Sequence, residues 1–194
     1  MATQKKSYID GEIKKAVEVL EQGGVILTPT DTIWGLSCDA TNEEAISRIY
    51  EIKKRPKEKN FIVLVADDAM LNRYVKEVPE LAWDIIDLSE KPTTIIYPEA
   101  NGLPAVLQSD KGIAIRMVKN GFVNQLIARY RKPLISTSPN ISGQSAPASF
   151  HEISPEILNQ ADYVINLPEE KNRKAQPSAI LRLGYHGEIE IIRK

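Results

Sequence analysis

The chain has 194 residues, of which 42% are hydrophobic and 26% charged, and its formal net charge is −1 at pH 7. This length suits one domain with a sizeable core, and the charge argues against nonspecific nucleic-acid binding over the whole surface, which leaves a local basic patch open. A lone cysteine, two histidines and no long apolar run exclude an internal disulfide and predict no structural zinc and no membrane span. We therefore expect a single cytoplasmic domain over residues 1–194.

The first quarter of the chain predicts a helix, a strand and a second helix. Apolar residues at helical spacing indicate a helix that ends at Gly23-Gly24. The stretch "VILT" (25–28) then indicates a buried strand. Thr41 and Glu44 have the spacing of a capping box, which predicts that a second helix begins there and runs to about Lys53.

The rest of the chain mixes strand and helix patterns. The apolar run "FIVLVA" (61–66) predicts a central strand. Further strands are predicted at 93–97, 112–117, 133–137, 162–167, 178–183 and 188–193, and further helices at about 69–76, 79–88 and 121–130. This order predicts an α/β fold with a twisted mixed sheet and flanking helices, whose binding site lies beyond the strand ends.

The predicted first strand leads directly into "TPTDTIWGL" (28–36), where Thr30, Asp31 and Thr32 surround the chain's exit from the strand. A plain surface turn needs only Gly, Asn or Pro with a polar neighbour. Several side-chain oxygens in one short stretch therefore indicate a loop that binds something small and polar.

A second candidate stretch is the basic segment "IKKRPKEKNF" (52–61). Pro56 disfavours helical geometry at Arg55, so the cations of this segment lie at a bend ahead of a buried strand. Such a bend suits a triphosphate or an RNA backbone. A solvated helix end, where Lys and Arg are favoured, is the alternative that composition leaves open.

Four other places put polar residues where strands begin or end. The stretch "PLISTSPNISG" (133–143) brings hydroxyls and an amide into one loop, which suits phosphate oxygens or a base edge but equally an ordinary turn. Arg116 ends an otherwise apolar strand and needs an anion, either an Asp or a ligand carboxylate. Ser178 begins a late strand and Arg193 ends the last one.

The common catalytic fingerprints are missing from the sequence. It has no G-x-x-x-x-G-K-[ST] loop, no G-x-G-x-x-G and no G-x-S-x-G, and Cys38 is interpreted as a small buried residue. The candidate residues supply cations, hydroxyls and amides but no nucleophile. We therefore expect them to act by positioning the reactants and by stabilising the charge that develops in the transition state.

In their order along the chain, these stretches resemble the motifs of the YrdC/Sua/YciO family. The similar stretches are "PTDTIWGL" (29–36), "KKRPKEKNFIVLV" (53–65), "EKPTTII" (90–96), "IAIR" (113–116), "SPNISG" (138–143) and "PSAI" (177–180). Each motif is short, but six in the correct order are specific. The resemblance implies a YrdC-like twisted mixed sheet around a basic cavity.

The resemblance also implies site residues and a reaction. Residues implied to hold L-threonine are Thr30, Thr32, Arg116 and Ser178. Residues implied to act in catalysis and to bind ATP are Lys53, Arg55, Ser138 and Asn140, with Lys59 and Arg193 as additions to the ATP site by position. The implied activity is that of a nucleotidyltransferase: threonine and bicarbonate form a carbamate, which attacks the α-phosphorus of ATP and expels pyrophosphate. Mg²⁺ would accompany the triphosphate, without a metal site of the protein or an organic cofactor.

The implied product, threonylcarbamoyl-AMP, serves tRNA modification, so the implied partners include downstream proteins of tRNA threonylcarbamoyl transfer. Contact of tRNA or double-stranded RNA with the basic cavity is implied as well. Two alternatives come from the same resemblance. One is a YciO-like member that binds RNA or nucleotide without synthase activity, and the other is a carbamoyl-transfer maturation module, which the absence of fused segments disfavours.

Overall fold

The strands form one mixed sheet in a computed structural model, which describes residues 2–56 and 60–194, with side chains from residue 6 onward. Within these ranges the strands are β1 (Ile26–Thr28), β2 (Gly35–Asp39), β3 (Ile62–Val65), β4 (Thr93–Tyr97), β5 (Ile113–Met117), β6 (Leu134–Thr137), β7 (Tyr163–Val164), β8 (Ala179–Leu183) and β9 (Ile189–Arg193). Their order across the sheet is β7-β1-β2-β6-β3-β5-β4-β8-β9. Only the pairs β1–β7, β3–β5 and β4–β8 are parallel among these described strands.

Helices accompany the sheet along the described chain. They are α1 (Ala2–Glu21), α2 (Glu43–Ile52), α3 (Asp68–Tyr74), α4 (Glu80–Leu88), α5 (Gly121–Tyr130), α6 (Pro155–Leu158) and α7 (Pro168–Lys171). Helix α1 packs on α5, and α2 packs on β2. Over the part of the chain that the structure describes, no helix combines the length and the apolar character needed to cross a bilayer.

The two faces of the sheet differ in burial. Val63, Ile115 and Ile95 lie in register across β3, β5 and β4 and are almost completely buried, because they face the hydrophobic core. Their neighbours Ala114 and Ile96 point to the opposite face and are only half-buried. Arg116 is two residues beyond Ala114 and therefore lies on this second, partly open face.

The predicted architecture is confirmed: the fold is α/β with a mixed sheet and flanking helices. The predicted strand at 93–97 and the predicted helix at 121–130 coincide with β4 and α5. Strand β2 was not predicted, because "GLSCD" contains only two apolar residues and no apolar run. Its register with β1 and β6 decides its conformation.

The predicted capping box of α2 is wrong by one residue. Asn42 is the N-cap, and its side chain accepts hydrogen bonds from the backbone N–H groups of Glu44 and Ala45 at 3.0 and 3.1 Å. Thr41 instead donates its hydroxyl to Asp39 Oδ1 at 2.7 Å. Asn is at least as good an N-cap as Thr, and the buried Asp39 competes for the threonine hydroxyl.

Candidate functional site

Two clusters of polar side chains lie at or beyond strand ends, and the first contains Lys53, Arg55, Ser138 and Asn140. The antiparallel pairing of β3 with β6 sets Ile62 opposite Ser136, so the residues after β6 lie beside those that precede β3. Helix α2 ends at Lys53, whose backbone carbonyl accepts a hydrogen bond from Ser142 N at 2.8 Å. The register of β3 with β6 and the end of α2 together place the beginning of the basic segment (52–61) against the loop that contains Ser138 and Asn140.

Lys53 is buried in this first cluster, although it carries a charge. Its side chain is about 1% exposed, and Nζ donates to the backbone carbonyls of Ser138 and Asn140, the latter at 2.6 Å. Burial, followed by the charge of Arg55, lowers the pKa of Lys53 from 10.5 to about 8. Lys53 therefore fixes the loop conformation and is a cation that titrates close to neutral pH.

Arg55 borders the same cluster. Its Nη2 donates to Asn60 O at 2.9 Å, and its guanidinium lies 5.2 Å from the ring centroid of Phe61. Burial lowers the pKa of Arg55 from its usual value. Lys59, which was predicted to bind ATP, lies outside the described residues.

The loop after β6 is a turn held by its own amide. Asn140 Nδ2 donates to the carbonyls of Ile141 and Gln144 at 3.0 and 2.8 Å, and Asn140 N donates to Ser138 O at 2.9 Å. Asn140 Oδ1 is buried and has no hydrogen-bond partner within the described ranges. A buried acceptor without a partner costs free energy, so a ligand donor at this atom would be stabilising.

The second cluster is centred on Arg116, at the carboxyl end of β5. Arg116 Nε lies 3.2 Å from each carboxylate oxygen of Asp31, and Nη2 lies 3.0 Å from Asp31 Oδ1. Nη2 also donates to Thr32 Oγ1 at 3.3 Å, and Nη1 reaches Thr94 Oγ1 at 3.4 Å. The anion that Arg116 was expected to need is thus present in the chain itself.

Threonine and serine hydroxyls extend this second cluster on both sides of Arg116. Thr30 and Thr32 share a hydrogen bond of 3.0 Å between their hydroxyls. Ser178 Oγ lies 2.8 Å from Thr94 Oγ1, and Arg193 Nε donates to Ser178 O at 2.9 Å. Burial, and then the nearby charge of Arg116, lower the pKa of Arg193. Arg193 was predicted to bind ATP from its position in the sequence. In the structure it lies beside Ser178, which is predicted to bind threonine.

A segment near α7 holds the loop that carries Thr30 and Thr32. Arg173 Nη2 donates to the backbone carbonyl of Thr30 and, at 2.9 Å, to that of Thr32. Arg173 Nε forms an ion pair with Glu170 at 2.7 Å, and the carbonyl of Glu170 accepts the indole N–H of Trp34 at 3.1 Å. One guanidinium therefore binds the backbone carbonyls of both threonines, in addition to the hydrogen bonds within the loop.

A cavity of about 340 Å³ lies next to this loop. Thr30 and Asp31 form part of its wall, together with Thr93, Phe122 and Arg173. Arg116, Thr32 and Ser178 are not among its lining residues. Asp31 therefore lies between the cavity and the Arg116 guanidinium.

The structure thus brings the predicted residues together in two clusters, and it adds three residues that the sequence did not single out for a role. Asp31 was part of the quoted loop but had no assigned partner, and Thr94 lay inside a recognised motif. Arg173 has no local signal, because its function depends on two carbonyls about 140 positions away in the chain.

Comparison with known proteins identifies relatives along almost the whole chain. The sequence profile Sua5_yciO_yrdC, described as telomere recombination, matches residues 18–194. The threonylcarbamoyl-AMP synthase of Pseudoalteromonas translucida is 35% identical over 172 residues, which is 87% of this chain and 91% of that relative.

Two solved structures have the same fold. The crystal structure of E. coli YciO superposes with a TM-score of 0.79 at 25% identity and covers 94% of this chain and 88% of its own. The crystal structure of P. abyssi Sua5 complexed with L-threonine superposes with a TM-score of 0.77 at 26% identity over 88% of this chain. This chain spans about half, 50%, of the Sua5 chain.

Proposed function

The chain belongs to the Sua5/YciO/YrdC family, and we propose that it is an L-threonylcarbamoyladenylate synthase. The proposed reaction converts L-threonine, bicarbonate and ATP into threonylcarbamoyl-AMP, pyrophosphate and water. The observation that carries the proposal is the cluster of Thr30, Thr32, Arg116 and Ser178, which offers hydroxyls and a buried guanidinium at one place. Such a set suits a small hydroxylated amino acid.

The Arg116 cluster is the proposed threonine site. A guanidinium binds a carboxylate by charge-assisted hydrogen bonds, and Arg116 is only 3% exposed, so water competes weakly for it. The hydroxyls of Thr32 and Ser178 are buried beside it and would face the side chain of the ligand.

The Lys53 cluster is the proposed ATP site. Lys53 and Arg55 supply positive charge. The loop that Lys53 holds supplies the Ser138 hydroxyl and Oδ1 of Asn140, which has no hydrogen-bond partner among the described residues. Placing this charge at the phosphates would stabilise the pyrophosphate that leaves. Lys59 stays a predicted ATP contact, and we propose that Arg193 contributes charge from the side of Ser178. The two clusters together would form the basic cavity that the resemblance implies.

The proposed chemistry needs no covalent intermediate on the protein. The α-ammonium group of threonine first releases a proton to solvent. The free amine then attacks the carbon of bicarbonate, and water leaves, which forms the carbamate. A carbamate oxygen then attacks the α-phosphorus of ATP, and the bond to pyrophosphate breaks. The residues of both clusters contribute by holding the two reactants in line and by offsetting the developing charge.

Magnesium would enter with the nucleotide. Within the described ranges no three His, Cys, Asp or Glu side chains are grouped so that they could hold a metal ion. In this proposal Mg²⁺ is bound mainly by phosphate oxygens and water, where it would offset the charge of the triphosphate.

The proposed product sets the wider role. Threonylcarbamoyl-AMP would be consumed in the cytoplasm by proteins that transfer the threonylcarbamoyl group to tRNA. We keep direct contact of tRNA or double-stranded RNA with the basic cavity as a part of this proposal, motivated by the cations of the Lys53 cluster.

The test is mass-spectrometric detection of threonylcarbamoyl-AMP from ATP, threonine and bicarbonate, with pyrophosphate release measured in parallel. We expect both products only when all three substrates are present. The similarity to E. coli YciO makes a nucleotide- or RNA-binding protein the competing proposal. Nucleotide binding without any adenylate product would favour that competitor.

A further inference from the structure

The ion pair between Arg116 and Asp31 places a positive and a negative group side by side. A zwitterionic ligand needs such a pair of groups to bind both of its charges. The side chains of Arg116 and Asp31 are 4% and 14% exposed, so the pair is largely shielded from water. Asp31 Oδ1 accepts from both Nε and Nη2 of Arg116, whereas Oδ2 accepts from Nε alone, at 3.2 Å, among the described residues. A carboxylate has about four acceptor positions, so Oδ2 retains capacity for another donor.

The Arg116 guanidinium can donate further hydrogen bonds through Nη1, the nitrogen that does not contact Asp31. Within the part of the chain that the structure describes, the contact of Nη1 is Thr94 Oγ1 at the long distance of 3.4 Å. Nη2 already donates to Asp31 Oδ1 and Thr32 Oγ1, so Nη1 is the nitrogen that can offer hydrogens to a ligand carboxylate without breaking the bond to Asp31. Asp31 also lines the 340 Å³ cavity, so a small ligand can reach its carboxylate.

If a ligand carboxylate bound to Arg116, two anions, this carboxylate and Asp31, would contact the same buried guanidinium. Like charges repel strongly in a poorly solvated site, and this repulsion would weaken binding. A positive group of the same ligand next to Asp31 removes the conflict, because positive and negative groups then alternate. An α-amino acid carries such a group one carbon away from its carboxylate.

We propose that Asp31 binds the α-ammonium group of the amino-acid substrate and so selects a zwitterion over a simple hydroxy acid. The inference rests on the proposed function in taking threonine as the substrate, and it assigns Asp31 a specificity role at that site. The opposite role is an internal counterion that the substrate carboxylate must displace. The two roles predict opposite effects of removing the charge of Asp31.

The experiment compares two ligands in wild-type protein and in Asp31→Asn by calorimetric titration. The ligands are L-threonine and 2,3-dihydroxybutanoate of matching configuration, which has a hydroxyl in place of the ammonium group. We expect Asp31→Asn to weaken threonine binding by about 10- to 100-fold, because a charge-assisted contact is lost. Binding of the hydroxy acid should stay unchanged or tighten, so the preference for threonine should largely disappear.

Two further variants separate this role from a structural one. Glu90→Gln removes another carboxylate that lines the same cavity, and it should keep the wild-type preference. Asp31→Glu should restore part of the preference, since it returns the charge. ATP affinity should be the same in all of these variants.

Four outcomes would overturn the inference. Tighter threonine binding by Asp31→Asn would identify Asp31 as a displaced counterion, and an equal loss of both ligands would identify a structural role. Unchanged preference in Asp31→Asn, with adenylate synthesis by the wild type, would refute the inference and leave the proposed function standing. A wild-type protein that neither binds threonine nor forms the adenylate would overturn both.

Discussion

Lys53 shows how one buried cation can serve both structure and chemistry. Its ammonium holds the carbonyls of Ser138 and Asn140, and its burial costs it part of its basicity. A lysine with a pKa of about 8 is charged at neutral pH and neutral soon above it. The charge that the proposed ATP site needs is therefore lost over a mildly alkaline range.

We expect the affinity for ATP to fall about tenfold between pH 7 and pH 9, if only the charged form of Lys53 binds the triphosphate. The free energy of unfolding should not decrease over the same pH range. The folded pKa lies below the unfolded value of 10.5, so the unfolded chain binds more protons between about pH 8 and 10.5, and this group makes the fold more stable as pH rises.

Calorimetric titration of ATP across this range, with thermal unfolding in the same buffers, measures both quantities. Lys54→Ala is the matched control, because Lys54 is the exposed neighbour and pairs with Glu156 at 2.9 Å. The control should keep the alkaline loss of affinity. A flat ATP affinity from pH 7 to 9 in the wild type would contradict the role of the Lys53 charge.

Arg116 is the second residue with a sharp expectation. Arg116→Ala should weaken threonine binding by about 10- to 150-fold, since a charge-assisted contact to a carboxylate is worth about 1.5–3 kcal/mol. The change also leaves Asp31 without its ion-pair partner, which will lower stability. Threonine and ATP titrations, performed separately, show which site is affected.

A control for Arg116 is available on β8, which β4 separates from β5 in the sheet. Arg182 of β8 pairs with Glu190 near the surface, so Arg182→Ala should leave threonine affinity unchanged. If Arg116→Ala lowers ATP affinity and spares threonine, Arg116 belongs to the other substrate.

At the scale of elements, the segment from α7 to Arg173 positions the loop of residues 29–34. The loop has no regular structure of its own beyond the end of β1, and its carbonyls at Thr30 and Thr32 depend on Arg173. Trp34 adds a second contact to the same segment through the carbonyl of Glu170. The conformation of the threonine loop is thus decided by an element more than 130 residues later.

Arg173→Ala should therefore raise the Michaelis constant for threonine by about 10-fold, because two buried carbonyls lose their donor and the loop loosens. The Michaelis constant for ATP should change little. Arg173→Lys should rescue only in part, since one ammonium cannot reproduce a planar fork that reaches two carbonyls and a carboxylate.

Steady-state kinetics with each substrate varied in turn measures this prediction. Lys174→Ala changes an exposed cation one position further on and should behave as wild type. Equal effects of Arg173→Ala and Lys174→Ala would show that Arg173 does not position the loop.

At the scale of the whole molecule, the proposed threonine site joins β4, β5, Ser178 just before β8 and the loop after β1. A ligand that contacts all of these stabilises the folded chain by mass action. At a concentration of 100 times its dissociation constant, threonine should increase the free energy of unfolding by about 2.7 kcal/mol. For a domain of this size, that raises Tm by roughly 5–10 °C. Serine lacks one methyl group, which is worth about 1 kcal/mol, so at the same concentration its shift should be clearly smaller.

A thermal-shift series with threonine, serine, valine and aspartate measures this order. Valine lacks the hydroxyl that Thr32 and Ser178 would bind, and aspartate adds a second negative charge near Asp31. Equal shifts by threonine, valine and aspartate would contradict a site with this lining.

Local pattern was sufficient for much of the fold. The alternation and apolar runs around β3, β4 and β5, and the 3.6-residue period of α5, depend on side chains close in sequence, so their positions could be read directly. The candidate site residues were also singled out from short motifs, because a polar residue at a strand end is visible without knowing its partner, and their roles stay predictions. Lys53 and Arg116 were both found in this way.

What only the tertiary structure decided depends on partners far apart in the chain. Strand β2 exists because β1 and β6 pair with it on either side, and the cap of α2 is Asn42 because buried Asp39 engages Thr41. Asp31 as the anion of Arg116, and Arg173 as the donor to Thr30 and Thr32, required the packing of segments about 85 and 140 residues apart. Such contacts leave no periodic trace in the sequence, because hydrogen-bond geometry is satisfied in space and not by spacing along the chain.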